Sequence, residues 1–130
     1  MKDVIAAAIF NPKNELMLCR KETLDYYIFP GGKPEAKETH TETLTREIRE
    51  ELNCGLGRHT FIKSFLNHSP NNDVIRVHMY GADIVGTPEV SREIVELLWY
   101  RPHQKLDYPL TGTSMDVIDY LNSHGYFDWG

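Results

Sequence analysis

Residues Pro30–Cys54 read PGGKPEAKETHTETLTREIREELNC, and several local signs make the second half of this stretch a helix. Thr39, with Glu42 three residues on, has the form of a capping box. Leu44, Ile48 and Leu52 recur at i, i+4 and i+8 and form one apolar stripe. Asn53 follows, a residue suited to a left-handed C-cap. The spacing predicts a helix over Thr39–Leu52. At about 100° per residue, Glu47, Glu50 and Glu51 fall within roughly one-third of its circumference, beside the apolar stripe. Like charges at i, i+3 and i, i+4 disfavour a helix by a few tenths of a kcal/mol per pair, so these acids need a counter-charge. Arg46 can pair with Glu50, and a divalent cation would do more. The plain alternative for R-E-x-R-E-E is a solvated, salt-bridged helix face. Pro30-Gly31-Gly32 argues for a site instead. It ends a strand and opens a loop into the helix, and its glycines permit close backbone approach with carbonyls free to face a ligand.

Working outward, Val4–Phe10 is a continuous apolar run that reads as a buried strand. Asn11-Pro12-Lys13-Asn14 is a turn, and Glu15–Arg20 reads as the hairpin partner of the first strand. Tyr26–Phe29 is expected as a short aromatic strand stopped by Pro30. After the helix come strands at Thr60–Leu66 and Val74–Val85, separated by the polar loop Asn67–Asn72, and a third strand at Ile94–Tyr100. Thr113–His124 carries Met115, Ile118 and Leu121 at helical spacing, with Thr113 or Ser114 as its cap. This order predicts a mixed sheet covered by helices on both faces, an α/β (α+β) arrangement, rather than a doubly wound repeat.

The chain has 130 residues, which fits one domain over 1–130. With 14 Lys+Arg against 19 Asp+Glu the net charge is −5. That argues against a protein that coats long nucleic acids. An acidic protein repels anionic ligands unless a local basic patch or a bound cation reverses the field. The longest apolar run is far short of a membrane span and lacks the flanks of a signal peptide. Cys19 and Cys54 are too few and too far apart for a disulfide framework or a C-x-x-C site, so a reducing cytoplasm is the expected location.

Glu38 lies six residues after Gly32, and Arg46-Glu47 eight and nine after Glu38. This is the spacing of the Nudix box, G-x5-E-x7-R-E-U-x-E-E-x-G-U, where U is a bulky aliphatic residue. Gly32, Glu38, Arg46, Glu47, Ile48, Glu50 and Glu51 stand in register, and the sequence resembles the Nudix hydrolases. Asn53 and Cys54 stand where that pattern has Gly and an aliphatic residue, and Lys37 where Gly commonly precedes the first Glu. The opening strands, the aromatic-x-Phe-Pro-Gly-Gly approach to the box and the late Glu…Trp strand extend the likeness over most of the chain.

The resemblance implies an α/β/α sandwich that hydrolyses a nucleoside diphosphate linked to a group X, using Mg²⁺ or Mn²⁺. It implies that Glu47, Glu50 and Glu51 hold the metal, with the Gly31 carbonyl a further ligand. Arg46 and Glu38 are expected to orient them. A later acid is expected from Glu93, with Glu96 as runner-up. Arg20, Lys21, Lys33 and Gly32 are the expected contacts to phosphates. The six histidines lack zinc-ligand spacing, and His68 is a lesser candidate for ligand contact. For substrate, a (d)NTP of the MutT-like class comes first and ADP-ribose or another nucleotide sugar second. Asp107-Tyr108-Pro109-Leu110 looks like the tail of MutT-like and CTP-hydrolysing members. Gly112 and Thr113 occupy the place of the base-reading Asn, while Pro70 matches a marker of ADP-ribose enzymes. A non-catalytic nucleotide sensor is the alternative from another class. The expected partners are a small nucleotide only, with no long nucleic acid and no membrane, for a monomer or homodimer.

Overall fold

The apolar run near the start becomes the central strand of the molecule because both of its faces and both of its edges are covered. In the computed structural model, which describes residues 1–127, strand β1 spans Lys2–Ala8. It lies between β3 (Gly31–Gly32), antiparallel, and β5 (Val74–Val85), parallel. Strand β4 (Gly55–His68) pairs antiparallel with β5, so the mixed sheet runs β3-β1-β5-β4. A second ladder joins β2 (Leu16–Lys21) to β6 (Ile94–Tyr100), antiparallel.

Alternation along β1 feeds two cores. Ile5, Ala7 and Ile9 pack with Leu44, Ile48 and Leu52 of helix α1 (His40–Leu52). Ala6 and Ala8 face the other way, toward Val117, Ile118 and Leu121 of helix α2 (Gly112–Ser123). One helix therefore covers each face, which is why Val4–Ala8 of β1 is apolar, while Lys2 and Asp3 at its start are exposed. The three α1 stripe residues are fully buried, and each contributes up to about 1.5–3 kcal/mol. The α1 ends match the sequence reading. Thr39 and Glu42 close the reciprocal capping box, and Asn53 takes the left-handed conformation with φ 55°.

Four expectations need correction. Strand β2 is not the hairpin partner of β1. A turn with Asn14 at φ 58° is present, but β1 and β2 meet only near the bridge Phe10↔Leu16. Both edges of β1 are taken by β3 and β5, so the β2 backbone finds its partner in β6. Tyr26–Phe29 is not a strand. Ile28 exchanges two 2.8 Å bonds with Cys19, Tyr27 bridges Leu110, and the ladder resumes at Gly31. Strand β4 starts at Gly55, close behind the α1 C-cap, and runs well past the predicted Thr60–Leu66. The α2 cap is Thr111, whose side chain accepts from the Ser114 N–H, rather than Thr113 or Ser114.

Candidate active site

Three glutamates on the last turns of α1 meet the glycine loop that precedes it. Glu51 is only 4% exposed, and its Oε1 accepts from the Gly31 N–H at 2.8 Å. Burial pushes its carboxyl up to about 7, against the Gly31 bond that favours the charged form. Burial also raises Glu47, with Arg46 opposing. Gly31 itself holds φ 146° against the Ile5 carbonyl, where a side chain has no room. Gly32 backs directly onto the Glu47 carboxylate, and a Cβ there would lie 2.5 Å from Glu47 Oε1. The contact that Gly31 makes to the acids is through its N–H.

Arg46 is the hub. Its Nε and Nη2 donate to the two oxygens of Glu38 at 2.8 and 2.9 Å, a two-pronged pair. Nη1 donates to Glu47 at 2.8 Å and Glu50 at 3.4 Å, and Nη2 to the Lys33 carbonyl at 3.0 Å. Glu38 also accepts from the Glu35 N–H at 2.7 Å and the Thr43 hydroxyl at 3.1 Å. Arg46 first, then Glu35, holds the Glu38 carboxyl down at about 2. Lys37 stands at φ 65°, in the left-handed region that favours Gly. With Arg46 clasped between Glu47 and Glu50, no three His, Cys, Asp or Glu side chains among the described residues converge as a ready metal cage.

A cleft of about 350 Å³ opens over these acids, lined by Lys21, Glu47, Glu50, Glu51, Arg92, Glu93 and Ile94. Lys21 and Glu93 thus join the α1 acids, 3.7 Å apart, with the Glu93 side chain 75% exposed. Arg92 was not singled out from the sequence. It stands in the cleft because the turn before β6 places it there, at φ 58°. Its only sequence signal is its position beside Glu93.

Arg20 lies outside the cleft, as alternation along β2 requires when Lys21 faces in. It bonds Glu96 at 3.2 Å and the Leu24 carbonyl at 3.2 Å, and stacks over Tyr108 at 4.2 Å. Glu96 also accepts from the Tyr27 hydroxyl at 3.0 Å, so this pair ties β6 to the aromatic segment. Lys33 lines a separate cavity on the α2 side of the sheet, together with Pro70, and His68 lines neither space. No helix among the described residues is long and apolar enough to cross a membrane.

Comparison with known proteins agrees with this architecture. A sequence model of the NUDIX domain matches residues 1–121. The CTP pyrophosphohydrolase of Escherichia coli (strain K12) is 26% identical over 120 residues, covering 88% of this chain and 87% of that protein. The solution structure of the E. coli ORF135 protein is similar at TM-score 0.72 and 28% identity, over 95% of this chain and 92% of that one. The MutT NUDIX hydrolase of Burkholderia pseudomallei shares the fold at TM-score 0.79 and 24% identity, over 91% and 95% of the two chains. With the box residues gathered at one loop–helix junction and the family model spanning nearly the whole chain, the protein belongs to the Nudix hydrolases.

Proposed function

We propose that this Nudix hydrolase is a Mg²⁺-dependent pyrophosphohydrolase of nucleoside triphosphates, with CTP the first substrate to test. The observation that carries the reading is the cleft itself, where three carboxylates of α1 face Lys21 and Arg92. Anionic acids and cations around one cavity suit a phosphate chain delivered with a divalent ion. The name of the E. coli relative favours CTP within that class.

The donor set fits such an ion. Glu47, Glu50 and Glu51 offer only hard oxygens, and burial already disfavours charge on two of them unless a cation compensates. These three residues would hold it, with Arg46 giving up part of its grip on Glu47 and Glu50. A bound Mg²⁺ would polarise phosphoryl oxygens and make a water molecule more acidic. Lys21 and Arg92 neutralise the phosphate chain. The Gly31 N–H fixes the Glu51 carboxylate, and the Glu38–Arg46 pair fixes the helix acids relative to the loop. Glu93, across the cleft from α1, offers a solvent-facing carboxylate for the proton of the attacking water.

The test is turnover of ATP, GTP, CTP, UTP, their deoxy forms and nucleotide sugars, with Mg²⁺ and with chelator. We expect pyrophosphate release from a triphosphate, abolished by chelation and reduced by orders of magnitude in Glu50→Gln. Cleavage of nucleotide sugars alone would overturn the substrate class. Tight nucleotide binding with no cleavage of any compound would mark a sensor.

A further inference from the structure

The two residues that close the box in place of Gly and an aliphatic, Asn53 and Cys54, both meet one loop. Residues 86–93 form that loop, which connects β5 to β6. Asn53 ends α1 at φ 55°, a conformation that Gly takes at less cost. Its side chain makes a contact that Gly cannot. Asn53 Nδ2 donates to Glu89 Oε1 at 2.9 Å, beside a backbone bond from the Glu89 N–H to the Leu52 carbonyl at 3.0 Å. Cys54 is buried, and a Cβ on Gly86, at the start of the loop, would lie 3.8 Å from its Sγ. The loop is thus fastened to the end of the helix that carries the acids.

Arg92, three residues after Glu89, is the group that this fastening brings to the cleft. It lines the cleft together with Glu47, Glu50 and Glu51. Its side chain makes no hydrogen bond or ion pair among the described residues, so it does not hold itself there. Its backbone is left-handed at φ 58°, which a residue with a side chain keeps only when its flanks impose it. After Arg92, the Ile94 N–H donates to the Ser91 carbonyl and the Glu22 N–H to the Glu93 carbonyl, each at 3.1 Å. Before it, the anchor is Glu89. We infer that Asn53 is a positioning residue, which through Glu89 holds Arg92 in the cleft for the phosphate chain of the substrate. The inference rests on the reading of this cleft as a phosphate site. Glu93 is held separately, by the Glu22 bond and by Lys21, so losing the Asn53 amide releases Arg92 first. Losing one hydrogen bond of this kind should shift the balance between held and released loop by about fivefold.

The experiment compares wild type, Asn53→Gly, Asn53→Asp, and the swap Asn53→Asp with Glu89→Gln, which rebuilds the bond with donor and acceptor exchanged. Asn53→Gly should melt within about 4 °C of wild type, because Gly suits the left-handed cap. Its KM for the preferred triphosphate should rise at least about twofold with kcat kept. Asn53→Asp, which sets a carboxylate against Glu89, should raise KM further, and the swap should return it toward wild type. In an Arg92→Gln background, Asn53→Gly should change KM no further. A second readout needs no activity. Limited trypsin digestion, with fragments identified by mass, should nick after Arg92 about fivefold faster in Asn53→Gly, because cleavage tracks the released loop. Wild-type KM and nicking in Asn53→Gly and Asn53→Asp overturn the assignment. So does a KM effect that persists without Arg92, or a swap no better than Asn53→Asp. If wild type cleaves no triphosphate, the proposed function fails by itself, and the digestion still reads whether Asn53 holds Arg92.

Discussion

Adding a single methyl group at Gly32 should separate the stability of this protein from its chemistry. A Cβ at Gly32 would stand 2.5 Å from Glu47 Oε1, 2.6 Å from its Cδ and 2.9 Å from its Oε2. Ordinary contact begins near 3.4 Å, so the carboxylate must retreat by about 0.9 Å. The yielding atoms are the far end of a flexible side chain, and the Gly32 backbone is not left-handed. Gly→Ala at such a position also stiffens the unfolded chain, which favours folding by about 0.4–1 kcal/mol. We expect Gly32→Ala to melt within about 4 °C of wild type. A misplacement of about 1 Å at a reacting centre costs on the order of a hundredfold in rate, and that is the expected fall in kcat. Gly31→Ala is the contrasting control. Its φ is 146°, and its Cβ would meet the Ile5 carbonyl and the Ala6 Cα of the central strand, which cannot swing aside. That variant should be poorly folded. The assays are steady-state turnover with Mg²⁺ and thermal melting by circular dichroism. Full kcat in a folded Gly32→Ala protein would refute the reasoning, because the Glu47 position would then not matter. A melting point lower by tens of degrees would show that the carboxylate cannot move.

Two further predictions concern groups held away from their ordinary pKa values. Arg46 holds Glu38 down at about 2, so the carboxylate contributes stability that is fully present above its unfolded value of 4.5 and lost as pH falls toward 2. Glu38→Gln should flatten the acid limb of a stability–pH profile from denaturant melts over that window; superimposable limbs would refute the clamp. Burial, then the bond to Glu96, pushes the Tyr27 phenol up to about 12. Its contribution is intact below pH 10 and lost as pH rises through 12, so tyrosinate absorbance should show a late-titrating phenol that disappears in Tyr27→Phe, while the Tyr100 phenol, which burial also raises, remains. That variant should also lose about 1 kcal/mol at neutral pH, for the hydroxyl bond to Glu96.

Much of the site was legible because it is built from local interactions. The α1 boundaries, both of its caps, the buried stripe and the common face of Glu47, Glu50 and Glu51 all follow from contacts three or four residues apart. The Glu38–Arg46 pair spans a short loop and falls within the same stretch. What could not be read depends on distant backbone. Lys21 and Arg20 are adjacent in sequence, and only the pairing of β2 with β6 decides that Lys21 faces the acids while Arg20 serves Glu96. Arg92 enters the cleft through the turn before β6, which carries no periodic signal.

The sequence by itself determined the helix and the register of its acids, since a capped helix with an apolar stripe specifies its own faces. It could not determine which strand each edge would satisfy. The Val4–Phe10 run announced burial on both faces but not that β3 and β5 would occupy both edges and exclude β2. Only the tertiary structure removed Glu51 from water and left the Thr113 hydroxyl unpaired, because desolvation is set by whatever packs against a side chain from elsewhere in the chain.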